Sequence, residues 1–488
     1  MARSYADAVA ALNTLQSNHQ IVEALRKNPR LNENAIPEMV DFWTTVGYNT
    51  ADLDRLNVIH IAGTKGKGST AAFVSSIFNR YRSSLPATSD YKIGLYTSPH
   101  LRFVRERIQI NGSPLSEEKF AKYFFETWDK FGSATKPVYF RFLTLMAFHT
   151  FISEKVGIAI VECGMGGTYD STNIIPSPVV TAITSLGIDH VGMLGSTISE
   201  IARHKAGIMK QSAKCYTPLS NQEKPGAEAV LEEVAQSVGT ELTWVTTMPD
   251  LAENRTKLGL QGDFQKENAS VAMTIVKEWF AKKEPETPYD AKFRTIVSDG
   301  IASARWPGRC DTRHEGNITW CIDGGHTLES IQLAGKWFAS EIKHITTLPS
   351  VTAVKIYLVF NQQTRERNAS GLARALYDTL TPLLPQAIST ALFTPNTTFS
   401  PTSIIKRTAP DLISVGTNPD EVDKLVVQNE LAATWKQLDA DARVEVKTSI
   451  EDTAGVVRDD VVEEGVQKVV LVTGSLHLVG GVLEILEG

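Results

Sequence analysis

The chain has 488 residues, of which 42% are hydrophobic and 21% charged, and its formal net charge is −6. This length predicts two or more domains, and the acidic balance argues against a nucleic-acid-binding protein, which needs a basic face. Four cysteines without CxxC spacing predict neither a zinc site nor a disulfide framework, so a reducing compartment is the simpler expectation. The sequence predicts no signal peptide and no membrane span.

The first predicted elements are two helices, an amphipathic one over residues 4–28 and a second over residues 36–46. Neither carries residues suited to chemistry. Both are therefore expected to pack against the first sheet.

A glycine-rich loop follows a short apolar strand at residues 58–61 and precedes a helical pattern that starts at residue 71. Strand, glycine loop and helix form a phosphate-binding architecture, in which a lysine meets the outer phosphates and a hydroxyl holds Mg²⁺. The usual motif has lysine directly before Ser or Thr, whereas Gly68 here separates Lys67 from Ser69. A flexible glycine turn is the alternative. The loop comprises Gly63, Thr64, Lys65, Gly66, Lys67, Gly68, Ser69 and Thr70.

Three further apolar stretches in this half, residues 91–96, 157–161 and 179–184, each end in a polar, glycine-bearing or proline-bearing loop. A helix over residues 138–155 lies between the first two, and another, starting near Thr197, carries Lys205. In an open α/β sheet, ligands bind outside the carboxyl ends of the strands. The pattern therefore predicts that these loops contribute to one active site.

A second alternating pattern begins after Trp306. Strands predicted at residues 318–322, 354–360 and 469–472 again precede polar loops. We therefore predict an α/β fold with two domains. Residues 1–305 would form a larger P-loop ATPase-like domain with a mostly parallel sheet, and residues 306–488 a smaller Rossmann-like α/β domain.

Ser69, Glu162 and His190 all fall at strand ends of the first domain. A hydroxyl, a carboxylate and an imidazole suit Mg²⁺ only in part, because imidazole is an unusual ligand for so hard a cation. On chemistry alone, a hydrogen-bonded structural histidine is the alternative for His190.

The motifs, taken together, resemble those of the folylpolyglutamate synthases of the Mur ligase superfamily, in particular the eukaryotic, fungal branch. The matches run in order from about residue 56 to residue 481. They are GTKGKGS at 63–69, TSPHL at 97–101, ECGMGG at 162–167, DSTN at 170–173, DH at 189–190, KAGI at 205–208, WPGR at 306–309, DGGH at 323–326, FNQQTR at 360–365 and TGSLHLVGG at 473–481.

The resemblance implies an ATP-dependent amide ligase in which Lys67 and the loop amides hold the phosphates. Ser69, Glu162 and His190 would bind Mg²⁺. Lys205 would carry a carbamate formed from CO₂, which would help to hold a second metal ion. The remaining implied contacts are Asn268 with adenine, Arg309 with phosphate, Asp323 with ribose, His326 and Ser475 with glutamate, and Thr97, Ser98, Pro99, His100 and Leu101 with folate.

The implied reaction is addition of L-glutamate to the γ-carboxylate of tetrahydrofolate and folylpolyglutamates through an acyl phosphate. Dihydrofolate synthase, alone or as a bifunctional enzyme, is the nearest alternative, and a P-loop kinase or nucleotide-binding module is the alternative of a different class. The expected cofactors are ATP and Mg²⁺, with K⁺ or another monovalent cation as a further candidate. We expect a monomer in the cytoplasm, with the mitochondrial matrix as the alternative location.

Overall fold

The computed structural model describes residues 3–16, 34–363, 368–403, 411, 422 and 424–487. The chain divides into two compact units. The first comprises Met1–His100 and Arg105–Arg305, and the second comprises Leu101–Val104 and Trp306–Gly488. The second unit therefore includes a short segment, Leu101–Val104, that the predicted boundaries assign to the first domain.

The first unit contains an eight-stranded sheet with the order β4-β3-β2-β5-β1-β6-β7-β8. All neighbouring strands are parallel except β3 and β4, which continue the β2 edge in antiparallel fashion. Every residue of β1, β5 and β6 is buried, as expected for a parallel sheet covered on both faces. The strands are Ile59–Ala62 (β1), Ile93–Tyr96 (β2), Ile108–Ile110 (β3), Ser113–Pro114 (β4), Ile158–Glu162 (β5), Val180–Ile183 (β6), Cys215–Pro218 (β7) and Leu242–Val245 (β8).

Helices of the first unit surround this sheet, joined by short 3₁₀ segments at Thr50–Leu56, Ser171–Ile174 and Leu219–Glu223. The α-helices are Tyr5–Asn13 (α1), Ala35–Val46 (α2), Lys67–Arg82 (α3), Glu117–Lys130 (α4), Tyr139–Ser153 (α5), Val191–Leu194 (α6), Ile198–Ala206 (α7), Ala227–Val238 (α8), Pro249–Ala252 (α9), Phe264–Lys283 (α10) and Ala291–Ser303 (α11).

The prediction of one helix over residues 4–28 was wrong in its extent. Helix α1 begins after Ser4, whose side chain accepts the Asp7 amide, and it ends at Asn13. Asn13 and Thr14 both have low helix propensity. A prediction that uses only the spacing of apolar residues takes no account of this. Residues 17–28 lie outside the described residues.

The second unit contains a six-stranded sheet with the order β13-β12-β11-β14-β10-β9, parallel except for β9. The three predicted strands correspond to β10, β11 and β14, whereas the other three were missed. The strands are Asp311–Glu315 (β9), Ile318–Ile322 (β10), Ala353–Phe360 (β11), Thr390–Phe393 (β12), Arg443–Val446 (β13) and Val466–Thr473 (β14). The helices are Leu328–Ile345 (α12), Ala369–Leu380 (α13), Val426–Leu438 (α14), Ile450–Asp459 (α15) and Leu476–Glu487 (α16).

Strand pairing places the motif-bearing loops side by side within each unit. In the first unit Ile61 of β1 pairs with Glu162 of β5 and with Ala182 of β6. In the second unit Leu471 of β14 pairs with Cys321 of β10 and with Leu358 of β11. Among the residues described, no helix has the length and apolar character needed to cross a membrane. The predicted two-sheet α/β fold is confirmed.

A buried lysine caps the carboxyl end of α15 in the second unit. Lys468 of β14 is 3% exposed, and its Nζ donates to the carbonyl oxygens of Val457, Arg458 and Asp460 at 2.7, 3.2 and 2.9 Å. Burial lowers the pKa of Lys468. The last carbonyls of a helix have no donor within that helix, and the negative end of its dipole favours a cation.

We expect Lys468→Met, which keeps the length of the side chain and removes its donors, to lower the free energy of unfolding by about 3 kcal/mol. Urea denaturation followed by circular dichroism measures this change. Lys336→Met on the exposed face of α12 is the matched control, with an expected change below about 0.5 kcal/mol. Equal stability of the two variants would show that Lys468 does not stabilise the unit.

Candidate active site

Two glycines allow the loop after β1 to form. Gly63 has a φ of +143° and Gly66 a φ of +85°. A Cβ at Gly63 would lie 1.9 Å from Thr184 Oγ1, and one at Gly66 would lie 2.2 Å from Asn268 Oδ1. A side chain at either position would therefore displace the loop. The Thr184 hydroxyl also donates to the carbonyl oxygen of Lys65 at 2.6 Å, which fixes the loop from its other side.

Two lysine side chains converge on one carbonyl of this loop. Lys205 Nζ donates to Gly63 O at 2.8 Å, and Lys67 Nζ donates to the same oxygen at 3.1 Å. Lys205 is 3% exposed, and burial together with the positive charge of Lys67 lowers the pKa of Lys205 to about 7. Lys65 pairs with Asp189 at 3.1 Å. The amino end of α3 and these ammonium groups therefore form a site that suits an anion such as phosphate.

Side chains from α10 hold the hydroxyl of Ser69. Gln265 Nε2 donates to Ser69 Oγ at 3.2 Å, and Asn268 Nδ2 donates to Gln265 Oε1 at 2.9 Å. Both amide residues are buried, and their spacing of three places them on one helix face. The structure thus brings Asn268 against the loop at Gly66. Its contact with adenine stays a prediction.

Glu162 and His190 occupy different environments. Glu162 is 4% exposed, and its Oε2 accepts the Ser98 amide at 3.0 Å. His190 is exposed on a turn with a φ of +53°, and its amide donates to Asp189 Oδ1 at 2.9 Å. The carboxylate therefore lies on the strand beside β1, while the imidazole lies on a surface turn after β6. A metal-binding role of either residue stays a prediction.

A buried polar network supports the turn that follows β5. Cys163 Sγ lies 3.1 Å from His60 Nε2, which lies 2.8 Å from Thr172 Oγ1. The Thr172 hydroxyl donates to Asp170 Oδ1 at 2.6 Å. Burial lowers the pKa of His60 to about 3, so its ring is neutral. These contacts tie the turn to β1.

The predicted folate segment begins with buried residues and ends in the second unit. Thr97 and His100 are 2% and 5% exposed. Arg107 Nε donates to His100 Nδ1 at 2.9 Å, and the Arg107 guanidinium carbon lies 5.6 Å from the centroid of the Tyr139 ring. Leu101 packs instead against the apolar core of the second unit. Folate binding by this segment stays a prediction.

In the second unit, Asp323 follows β10 and is 7% exposed. Its Oδ2 accepts the Cys310 amide at 2.9 Å, and its Oδ1 accepts the Gly325 amide at 2.8 Å. Burial raises the pKa of Asp323, and the nearby charge of Arg309 opposes this shift. A Cβ at Gly324 would lie 2.6 Å from Arg309 Nη1, so glycine there lets the guanidinium approach the turn. The structure thus places Arg309 near Asp323.

The loops at the ends of β10 and β14 are joined to each other. His326 Nδ1 donates to Gly324 O at 2.8 Å, and the Gly474 amide donates to Gly325 O at 2.9 Å. Ser475 is 8% exposed and directly precedes α16. The two residues predicted to lie near glutamate therefore come from loops that share a backbone hydrogen bond.

Comparison with known proteins places the chain in a family. No protein-family model matches it. The folylpolyglutamate synthase of Saccharomyces cerevisiae strain FostersO is 41% identical over 505 aligned residues, which cover 99% of this chain and 87% of the yeast protein. The chain belongs to the folylpolyglutamate synthase family.

Solved structures of this family share the fold. The folylpolyglutamate synthase of Thermotoga maritima superposes with a TM-score of 0.66 at 22% identity, covering 93% of each chain. The bifunctional folylpolyglutamate synthase/dihydrofolate synthase of Yersinia pestis, complexed with AMPPNP and a manganese ion, gives a TM-score of 0.66 at 21% identity. It covers 92% of this chain and 93% of its own. The predicted resemblance to the family is confirmed.

The oxygen donors of the first unit fit a hard divalent cation. Within the described part of the chain, no group of three or more His, Cys, Asp or Glu side chains is placed to hold a metal ion. Ser69 and Glu162 offer a hydroxyl and a carboxylate, both buried. Mg²⁺ in nucleotide sites commonly takes one or two protein ligands and completes its coordination with water and phosphate oxygens. The donor set therefore suits an ion bound together with a phosphate-bearing substrate.

Sequence reasoning missed several residues that contact predicted site residues, among them Gln265 and Arg107. Gln265 holds Ser69, and Arg107 holds His100. Gln265 could have been found from its position three residues before Asn268, which puts both amides on one face of α10. Arg107 gives no such signal, because its contact depends on how the chain turns between β2 and β3.

Proposed function

We propose that the chain joins L-glutamate to the γ-carboxylate of tetrahydrofolate and of folylpolyglutamates, with cleavage of ATP to ADP and phosphate. The observation that carries the site assignment is the convergence of Lys67 and Lys205 on the Gly63 carbonyl, at the amino end of α3. Membership of the folylpolyglutamate synthase family supplies the substrate class. ATP and a divalent cation fit the donor groups of this site, and the Yersinia pestis structure contains AMPPNP and a manganese ion.

The reaction needs an activated carboxylate, because a free carboxylate oxygen is a poor leaving group at neutral pH. Transfer of the γ-phosphoryl group to the folate γ-carboxylate breaks the bond between the β- and γ-phosphates and forms an acyl phosphate. The glutamate nitrogen then attacks the acyl carbon and loses a proton, and phosphate leaves. Charge on the phosphoryl oxygens is stabilised by positioned cations and backbone amides.

Each of the chain's own groups has one proposed task. Lys67 and the loop amides bind the phosphates, and phosphate contact is also proposed for Arg309. Ser69 and Glu162, with His190, would hold the divalent cation, which when bound neutralises charge during phosphoryl transfer. The remaining proposed contacts are Asn268 with adenine, Asp323 with ribose, residues 97–101 with folate, and His326 and Ser475 with glutamate.

Product analysis tests this function directly. The full chain is incubated with ATP, Mg²⁺, tetrahydrofolate and ¹³C-labelled glutamate, and the products are separated by liquid chromatography and weighed by mass spectrometry. We expect tetrahydrofolate carrying one or more added glutamates, and NMR of the product should show the γ-amide. ADP formation that requires neither folate nor glutamate would instead indicate a kinase or nucleotide switch.

Parallel reactions with dihydropteroate separate the dihydrofolate synthase alternative. If only dihydropteroate gives a product, the chain is a dihydrofolate synthase and the proposed substrate is wrong. If dihydropteroate and tetrahydrofolate both give products, the chain is a bifunctional enzyme. Further proposals are activation by K⁺, a monomeric state, and a cytoplasmic or mitochondrial matrix location. Assays in KCl against choline chloride, light scattering and fluorescent tagging in cells test these three points in turn.

A further inference from the structure

A cluster of carboxamides, three of them buried and one half-buried, lies at the end of β11 and has no role in the proposed reaction so far. We call Asn361, Gln363, Asn396 and Gln428 the carboxamide cluster. Asn361 Nδ2 donates to Gln363 Oε1 at 3.2 Å and to Asn396 Oδ1 at 2.8 Å. Gln428 Nε2 donates to Asn361 Oδ1 at 2.8 Å. The Asn361 side chain thus uses both donors and its acceptor, and it joins the end of β11 to α14.

Gln362, which lies between two members of this cluster, contacts the loop that follows β14. Gln362, which is 3% exposed, donates from Nε2 to the Gly474 carbonyl oxygen at 2.9 Å. The Gly474 amide in turn donates to Gly325 O at 2.9 Å. Gly474 has a φ of +102°, and a Cβ there would lie 2.5 Å from Asn361 O. The three loops that follow β10, β11 and β14 are therefore connected through one glycine residue.

Burying several carboxamides costs free energy unless each is hydrogen-bonded, and apolar side chains would fill the same space with no such requirement. These carboxamides are therefore poorly explained by stability alone. The neighbouring Gln362 fixes a backbone carbonyl in direction and distance, and it does so without adding charge beside loops proposed to receive the anionic amino acid glutamate.

We propose that Gln362 is a positioning residue for the amino-acid acceptor. Through the Gly474 carbonyl it orients the peptide between Gly474 and Ser475. The preceding peptide, whose Gly474 amide donates to Gly325 O, joins the same glycine to the loop carrying His326. The cluster around Asn361 holds the backbone that carries Gln362. This inference rests on the proposed placement of glutamate near His326 and Ser475.

Loss of the Gln362 donor should affect the second half of the reaction. Gln362→Met keeps the length and removes the amide, and Gln362→Asn keeps the amide but is one methylene too short. In both variants we expect the KM for glutamate to rise at least tenfold, with the KM values for ATP and tetrahydrofolate within twofold of wild type. A misplaced amine should also let water intercept the acyl phosphate, so phosphate released per glutamate incorporated should rise above the wild-type ratio.

Gln467→Met is the matched control. Gln467 lies near the other end of β14, where its Nε2 donates to Thr319 Oγ1 at 3.0 Å. The control makes the same chemical change in the same unit and should leave all three KM values and the phosphate ratio unchanged. If Gln362→Met does not fold, Gln362→Asn and Gln428→Met decide the question by the same two measurements.

A folded Gln362 variant with wild-type glutamate KM and wild-type phosphate ratio would overturn the inference. So would an equal rise of all three KM values, because that result reports general loosening of the unit. Failure of the proposed function is distinguishable, since the wild-type chain itself would then form no glutamylated folate.

Discussion

Lys67→Ala should lose most of the ligase activity while the protein stays folded. Lys67 is the first residue of α3, and its Nζ lies 3.1 Å from the Gly63 carbonyl oxygen, which also accepts a hydrogen bond from Lys205. In a site closed from water, one positioned donor on a developing negative charge contributes about 3–4 kcal/mol to the transition state. We therefore expect kcat/KM to fall on the order of 10²–10³-fold.

The matched control for this prediction is Lys292→Ala, which removes an exposed lysine from α11 in the same unit. Both variants are assayed for labelled glutamate incorporation, and both are melted by circular dichroism. The control should retain wild-type turnover. Near-normal turnover by folded Lys67→Ala would remove Lys67 from the phosphate site. A rise confined to the KM for ATP, with kcat unchanged, would show that Lys67 binds ATP equally in the ground state and the transition state.

Much of the first unit follows from the sequence, because its buried strands are short, continuous apolar runs. Residues 157–161 predict a strand, and the structure has Ile158–Glu162. The helix predicted over residues 138–155 is present at Tyr139–Ser153. Because parallel strands end at one edge of the sheet, this reading also predicts that the loop at Gly63 and the residue Glu162 are neighbours.

Two of the three missed strands of the second unit, β13 and β9, lack that signal. The third, β12, is fully buried between β11 and β13, but a run of four residues is too short to separate a strand from a buried helix segment. Strand β13 carries Arg443 and Glu445 and lies at the edge of the sheet, where one side needs no apolar cover. Strand β9 is antiparallel and only partly buried, and its residues Asp311 and Arg313 form an ion pair. Neither strand shows the apolar run that identifies β10 or β14. Edge strands are defined by the neighbour they pair with, which a single segment does not encode.

In the candidate active site, too, the sequence predicts some residues and not others. Motif spacing predicts which residues lie at strand ends, whereas the contacts that hold them come from elsewhere in the chain. The Ser69 hydroxyl meets Gln265, which lies 196 positions away. Likewise, Gln362 reaches Gly474 across 112 positions. Such pairs depend on the assembled sheet and not on any local pattern, so sequence reasoning finds the loop residues and misses their partners.

Lys205 presents the second prediction with a large expected effect. Two ammonium groups, those of Lys205 and Lys67, donate to the single oxygen of Gly63, and Lys205 is 3% exposed. Like charges held this close in a dry site repel each other strongly. We propose that Lys205 carries a carbamate in the active enzyme. The ammonium ion first loses a proton, and the neutral amine nitrogen then forms a bond to the carbon of CO₂ and loses a second proton. A cation thereby becomes an anion with two oxygens suited to a divalent metal.

The modification can be observed without relying on activity. The full-length protein is equilibrated at neutral pH with ¹³C-bicarbonate, and ¹³C NMR should show one carbamate carbon in addition to the bicarbonate signal. Lys205→Ala should lack this signal and should lose activity on the order of 10²–10³-fold, as expected for loss of a group that stabilises transition-state charge. Lys210→Ala is the matched control, because Lys210 is a partly buried lysine of the same unit five positions further on.

Rescue distinguishes a missing carboxylate from a general structural defect. If Lys205 supplies an anion, small carboxylates such as acetate should restore part of the activity of Lys205→Ala, because the vacated space admits a mobile replacement. Acetate should not improve Lys67→Ala, which lacks a cation. The prediction is wrong if the wild-type protein shows no carbamate signal and works at its full rate in buffer depleted of CO₂. Lys205 would then act as an ammonium ion that binds phosphate beside Lys67, and methylamine rather than acetate should rescue its loss.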